Sequence, residues 1–183
     1  MTDMDGWVAF VGAGPGDEGL LTTRAVRLLG DAALIVAEPE VADRVRRLLR
    51  PDAQVVEATD AAGTVRTLLQ TAKAGGLAVR LYPGDPLLSG AAAEVQACAK
   101  AKARFEIVPG VPAVTGVPAY AGIALTGDAP GELRVIHASE ASQVSYGHGT
   151  LVVLGAETAP QDLGKMLIAA GWPVEMGLAL CWE

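Results

Sequence analysis

Short apolar runs and amphipathic runs take turns along the first two thirds of this chain, with little between them. Trp7 to Val11 is apolar and closes on glycine, which reads as a buried strand. Thr22 can then cap a helix that carries Ala25, Leu28 and Leu29 on one face and closes at Gly30. Ala32 to Ala37 is a continuous apolar run, the mark of a strand buried on both faces, and Glu38-Pro39 ends it. A second helix spans Glu40 to Leu49, stopped by Pro51, and Gln54 to Glu57 is a short strand. Ala61 to Lys73 places Val65, Leu68, Leu69 and Ala72 at helical spacing, and Gly75-Gly76 ends it. Ala78 to Tyr82, Ala91 to Ala103 and Phe105 to Val108 follow as strand, helix and strand. Such alternation with short links predicts an α/β fold, a mostly parallel sheet covered by helices.

Ligands on such sheets sit at the carboxyl ends of the strands. The irregular stretches 12–17, 38–40, 83–90 and 109–113 all follow strands, so they converge on one edge. Ala113 to Ala121 reads as a short helix, and Gly122 to Gly131 then breaks regularity. The predicted domains are therefore 1–122 and a smaller α/β domain, 123–183. The second holds strands at Leu133 to His137 and Leu151 to Leu154, a helix over Pro160 to Ala170 and a last strand at Val174 to Trp182.

Half of the residues are apolar, enough for a sizeable core. The net charge of −7 argues against a nucleic-acid-binding surface. Cys98 and Cys181 lie far apart with no C-x-x-C, so they read as free thiols of a reducing compartment, and no metal site is expected. Met1 to Asp5 lacks a basic leader and no apolar run reaches membrane-span length, so the expectation is a cytoplasmic protein with no membrane partner.

Gly12-Ala13-Gly14-Pro15-Gly16-Asp17 is the most informative loop. A dinucleotide fingerprint would need glycine where Asp17 stands, and Pro15 removes an N–H from the face that would meet a pyrophosphate. Against a turn with no ligand, the glycines favour close approach by something without a phosphate's charge, such as a sulfonium-bearing nucleoside. Tyr82-Pro83-Gly84-Asp85-Pro86 is a second stiff loop. There Asp85 can accept from ribose hydroxyls or from the loop's own amides.

G-A-G-P-G-D followed by Leu20-Leu21-Thr22 resembles the opening of the tetrapyrrole methylases, which include uroporphyrinogen-III C-methyltransferase. Pro83 to Pro86 resembles the family's G-G-D-P, with Pro83 in place of the first glycine. Val108 to Ala113 resembles V-P-G-V-T-S-A, with Pro112 in place of threonine. Pro118 to Thr126 is similar to P-A-Y-A-G-I-P-L-T, and Thr150 to Gly155 to T-L-V-x-Y-M-G, where Leu154 takes the methionine's place. Val36 to Val41 resembles the methylase half of fusions with uroporphyrinogen-III synthase.

The resemblance implies S-adenosylmethionine as cofactor, held by Gly14, Pro15, Gly84, Asp85, Leu88, Pro112, Ala113 and Leu154. It implies a tetrapyrrole substrate, uroporphyrinogen III methylated to precorrin-2, and a homodimer. It also implies that the chain stops short of its relatives, leaving the cofactor pocket open on one side. Glu38 stands at the position of the family's proposed aspartate base, in Ala37-Glu38 where the family has Y-D, which implies that it is the catalytic base. The alternative for Glu38 is a turn cap, or a partner for an arginine of the next helix. Several basic positions of the family are missing. No lysine follows the third strand, Leu87 to Ala91 lacks the arginine of F-G-R-G, and Leu125 to Asp128 lacks both cations of L-T-H-R. Hence a second reading stands beside the first, a methylase-like domain that binds the cofactor, or serves as a structural partner, without catalysis. Arg44, Arg46, Arg47 and Arg50 are then the best candidates for the rim of an anionic substrate site, against a plain solvated face.

Overall fold

The computed structural model describes residues 6–127, 131–155 and 159–175. It divides into two compact units, Met1–Ala113 and Val114–Glu183. The helix expected at Ala113 to Ala121 is present and falls almost wholly in the second unit, whereas the sequence patterning placed the boundary after it.

In the first unit β1 (Trp7–Gly12), β2 (Leu34–Ala37), β3 (Gln54–Glu57), β4 (Leu77–Tyr82) and β5 (Phe105–Val108) form one sheet in the order β3-β2-β4-β1-β5. Every pairing in it is parallel. Four helices connect the strands: α1 (Thr23–Asp31), α2 (Pro39–Val45), α3 (Ala61–Lys73) and α4 (Ala92–Lys100). On one face Ala25, Leu28 and Leu29 of α1 and Val41, Ala42 and Val45 of α2 pack with Ala9, Val11, Ile35, Val79 and Leu81. On the other, Val65, Leu68 and Ala72 of α3 and Cys98 of α4 pack with Val8, Phe10, Leu34, Val36 and Tyr82. The continuous apolar runs of β1 and β2, and of β4 apart from Arg80, have this cause, because the sheet is covered on both sides.

The topology fixes where a ligand can enter. From β1 the chain leaves through α1 on the first face toward β2, and from β4 through α4 on the other face toward β5. Since β1 and β4 are neighbours, these connections part in opposite directions and open a crevice at the strand ends between them.

Local differences from the sequence patterning have local causes. Gly30 lies inside α1, which runs one residue further before Ala32 turns extended. The second helix ends at Val45 and tightens into a 3-10 turn over Arg46–Leu48. Residues of β3 are exposed, because its place at the sheet edge leaves it a single neighbour.

The second unit holds α5 (Ala113–Ala121), β6 (Leu133–His137) paired in parallel with β7 (Thr150–Leu154), and α6 (Pro160–Ala169). Its packing centres on Trp172, whose indole N–H donates to the Val144 carbonyl at 2.8 Å while Tyr146 meets the ring edge-on. His137 is exposed and its ring caps the following turn, accepting from the Ser139 amide. The strand expected over Val174 to Trp182 lies outside the described residues from position 176 onward, as do Asp128 and Cys181.

Candidate functional site

Three loops close over the crevice, and backbone contacts join the first to the second. The Ala13 amide donates to the Tyr82 carbonyl at 2.8 Å. Gly14 and Gly84 then exchange two hydrogen bonds, Gly14 N–H to Gly84 O at 3.2 Å and Gly84 N–H to Gly14 O at 2.8 Å. Both glycines sit at positive φ, +72° and +58°, a region in which a side chain is strained. Gly12 and Gly110 complete the junction. A Cβ on Gly12 would stand 2.4 Å from the Gly84 carbonyl oxygen, and one on Gly110 only 2.1 Å from it. Glycine is therefore dictated at 12 and 110 by close approach and at 14 and 84 by dihedral angle.

Asp85 ties the fourth-strand loop to the fifth. One carboxylate oxygen accepts from the Leu87 amide at 2.9 Å, the other from the Gly110 amide at 3.1 Å. Of its two sequence-level readings, the one with amide partners is the geometry seen, although half of these bonds cross to another loop. The Ser89 hydroxyl closes the turn on the Pro83 carbonyl. Leu87 and Leu88 project from this loop with side chains largely in solvent, at 68% and 53% exposure. A Cβ on Gly84 would lie 3.5 Å from Cα of Pro112 and 3.6 Å from the Ala113 amide nitrogen. Gly14, Gly84, Asp85, Pro112 and Ala113 thus meet at one place, with Pro15 and Leu88 on the same loops. Leu154 closes β7, in the second unit.

These loops are unsuited to a phosphate. Stretches 12–17, 83–90 and 109–113 contain no lysine or arginine, and prolines 15, 83, 86, 109 and 112 each remove a backbone donor. What remains is a tight backbone junction, an apolar lip and carboxylates. That combination tolerates a cation and apolar surface.

Glu38 stands at the end of β2, where its carbonyl accepts the first amides of α2 while its side chain makes no cap. The carboxylate instead lies on Arg80 of β4, with Oε1 2.8 Å and Oε2 3.2 Å from the two terminal nitrogens. The sequence alternatives of a side-chain cap or an arginine of the next helix are both corrected by this pairing. Burial pushes the Glu38 carboxyl up, but the Arg80 hydrogen bonds, its own amide and the Arg80 charge outweigh that and hold it below the usual range. Arg80 is only 5% exposed. Its Nε faces both oxygens of Glu94 on α4, at 3.2 and 3.4 Å, and the Tyr82 hydroxyl donates to Glu94 at 2.8 Å.

Sequence reading missed this buried group. The available signal was one charge inside Leu77-Ala78-Val79-Arg80-Leu81-Tyr82, since an arginine in a strand covered on both faces must have carboxylate partners.

The arginines of α2 and of the stretch just after it are mostly committed to neighbours. Arg46 pairs with Asp43, Arg47 with Glu18 and Arg50 with Asp52. Arg44 reaches over the first loop, its guanidinium 3.4 Å from where a Cβ on Gly16 would be. With Gly16–Gly19, Asp43, Arg46 and Arg47 it lines a shallow groove of about 940 Å³. Among the described residues no cluster of metal-ligating side chains occurs, and no helix is long and apolar enough to cross a membrane.

The family model for tetrapyrrole (corrin/porphyrin) methylases matches residues 8–180. Siroheme synthase 2 of Serratia proteamaculans is 35% identical over 192 residues, covering 96% of this chain and 41% of the relative. Siroheme synthase 1 of Klebsiella pneumoniae is 42% identical over 130 residues, 66% of this chain and 28% of the relative. The chain therefore spans less than half the length of these curated relatives. Among solved structures, uroporphyrin-III C-methyltransferase of Thermus thermophilus complexed with S-adenosylhomocysteine aligns with a TM-score of 0.74 at 30% identity, over 92% of this chain and 78% of that one. A cobalt precorrin-4 methyltransferase aligns with a TM-score of 0.76 at 25% identity, over 90% and 75%.

Proposed function

Because the chain belongs to the tetrapyrrole methylase family, we propose that it is an S-adenosylmethionine-dependent C-methyltransferase acting on uroporphyrinogen III and yielding precorrin-2. One observation carries the reading. The β1 and β4 loops are bonded glycine to glycine at the crevice, without cations or a full set of amide donors. Such a junction suits a sulfonium nucleoside and not a dinucleotide. Gly14, Pro15, Gly84, Asp85, Leu88, Pro112 and Ala113, all of the first unit, are the residues assigned to hold it.

When bound, the cofactor supplies an activated methyl group on a positively charged sulfur. The residues of this chain have three tasks. The loops hold donor and acceptor in line, which is where most of the acceleration arises. Leu87 and Leu88 offer apolar surface beside the reacting atoms, limiting access of water. Glu38 receives the proton that the cationic macrocycle sheds from a neighbouring position once the methylated pyrrole carbon has become quaternary. That proton comes from a cationic ring and is strongly acidic, so a carboxylate weakened as a base by Arg80 is adequate.

The other half of the proposal is a cytoplasmic homodimer, tested by sedimentation. The test of function is mass spectrometry of the tetrapyrrole after incubation with uroporphyrinogen III and S-adenosylmethionine. One and then two added methyl groups are expected, and Glu38→Gln should slow their appearance by roughly a hundredfold while binding of S-adenosylhomocysteine persists. The missing basic positions favour a second reading, a domain that binds the cofactor without catalysis. Saturable binding of S-adenosylhomocysteine with no methyl transfer would establish that one instead.

A further inference from the structure

We propose that Arg80 is the positioning residue of this site: anchored from below by Glu94 and Tyr82, it clamps the Glu38 carboxylate and fixes its direction at the sheet edge. The clamp stands on geometry, and the methyltransferase reading enters only for what the held carboxylate then does.

The arrangement is a chain of partners that runs from the interior to solvent. Tyr82 and Arg80 are two residues apart on β4 and so share one face of the sheet. The Arg80 guanidinium lies 4.3 Å from the centre of the Tyr82 ring, which holds its plane. The Tyr82 hydroxyl donates to Glu94, and Glu94 receives the Nε edge of Arg80. One terminal nitrogen also donates to the Leu81 carbonyl at 2.8 Å. The rest of the guanidinium is left to grip both oxygens of Glu38. Arg80 and Glu94 are buried, at 5% and 7% exposure, whereas the Glu38 side chain is 48% exposed. The one accessible end of the network is therefore a carboxylate at the strand ends.

A structural ion pair would have no need of that asymmetry. Arg80 is already neutralised by Glu94, and a second carboxylate that stays half in solvent adds only a modest, screened stabilisation. Two-point geometry on Glu38 instead fixes orientation, which lysine cannot reproduce.

The ionisable groups around Glu38 come from several elements. Arg80 and Tyr82 lie on β4, and Glu94 on α4 acts through Arg80. Glu57 ends the adjoining β3, beside Ala37 in register. Asp60 caps α3 and is turned to the Gly63 amide. Glu40 lies in the first turn of α2. Arg80 is the cation bonded to Glu38, so Arg80→Lys keeps a positive charge beside it and removes only the two-point grip.

The experiment is a carbon-13 NMR titration of glutamate carboxyls, with Glu38 assigned by its loss in Glu38→Gln, on wild type, Arg80→Lys and Glu94→Gln. The clamp predicts a wild-type midpoint below the ordinary glutamate range. Arg80→Lys should raise it, and Glu94→Gln, which leaves the Arg80 charge undivided, should lower it further. An ordinary wild-type midpoint, or one unmoved by either variant, overturns the clamp. In methyl transfer, Arg80→Lys should cut kcat at least tenfold with KM for the cofactor changed less than threefold; unchanged kcat overturns the positioning role. If the wild type transfers no methyl group, the functional reading falls, and the titration still decides whether Arg80 clamps Glu38. Should Arg80→Lys not fold, the downward shift in Glu94→Gln is the deciding result.

Discussion

Gly84 shows how much one residue can carry. Its φ of +58° is strained for any side chain, and a Cβ there would point at Pro112 and Ala113 at ordinary contact distance. Gly84→Ala should fold with a loss of about 1–2 kcal/mol, measured by urea unfolding. Gly84→Val adds branches that press the β4 loop off the β5 loop, so binding of S-adenosylhomocysteine should be lost in calorimetry. Unchanged affinity in the valine variant would mean that the junction is not the pocket. Glu38 makes a prediction about pH. Its folded pKa lies below the unfolded value, so its contribution to stability is present above the ordinary carboxylate range and is lost as pH falls through the folded value. The stability gap between wild type and Glu38→Gln should accordingly be full at neutral pH and close in acid. A gap that is the same at all pH values would deny the pairing with Arg80.

At the scale of elements, α3 seals one face of the sheet through Leu68, which is fully buried. Leu68→Ala should cost about 2–5 kcal/mol in urea unfolding without moving cofactor affinity, since the cavity lies under the helix and away from the strand ends. A loss of affinity matching the loss of stability would show that the loops depend on this packing. These strands and helices were largely legible in the sequence, because β1 and β2 are apolar runs, β4 is one apart from Arg80, each closes on or shortly before glycine or proline, and the helices repeat at 3.6 residues. The loops that gather at the crevice were legible too, from the rule that they follow strands. What could not be read was pairing at long range. Arg80 and Glu38 are 42 positions apart and meet only because β2 and β4 are neighbours in a sheet whose order differs from chain order. Local spacing carries no such information; it offers an arginine of the next helix as one alternative partner for Glu38, whereas Arg46, Arg47 and Arg50 pair with Asp43, Glu18 and Asp52.

For the whole molecule, charge is the open question in the proposed chemistry. A chain of net charge −7 is asked to take a substrate with many carboxylates, and the arginines nearest the first loop are mostly paired. Long-range repulsion should slow the encounter at low salt and be screened as the Debye length falls to about 8 Å near physiological ionic strength. Thus kcat/KM for uroporphyrinogen III should rise with salt over that range; a fall would reveal a local cationic site that outweighs the net charge. The central claim is narrower and can be tested on its own. It is that the glycine junction between β1 and β4 holds the cofactor. Titrating S-adenosylhomocysteine into nitrogen-15-labelled protein tests it most directly. Saturable shifts should concentrate on the amides of Gly14, Gly84, Leu88 and Ala113; shifts confined to the groove around Arg44, or none at all, would contradict it.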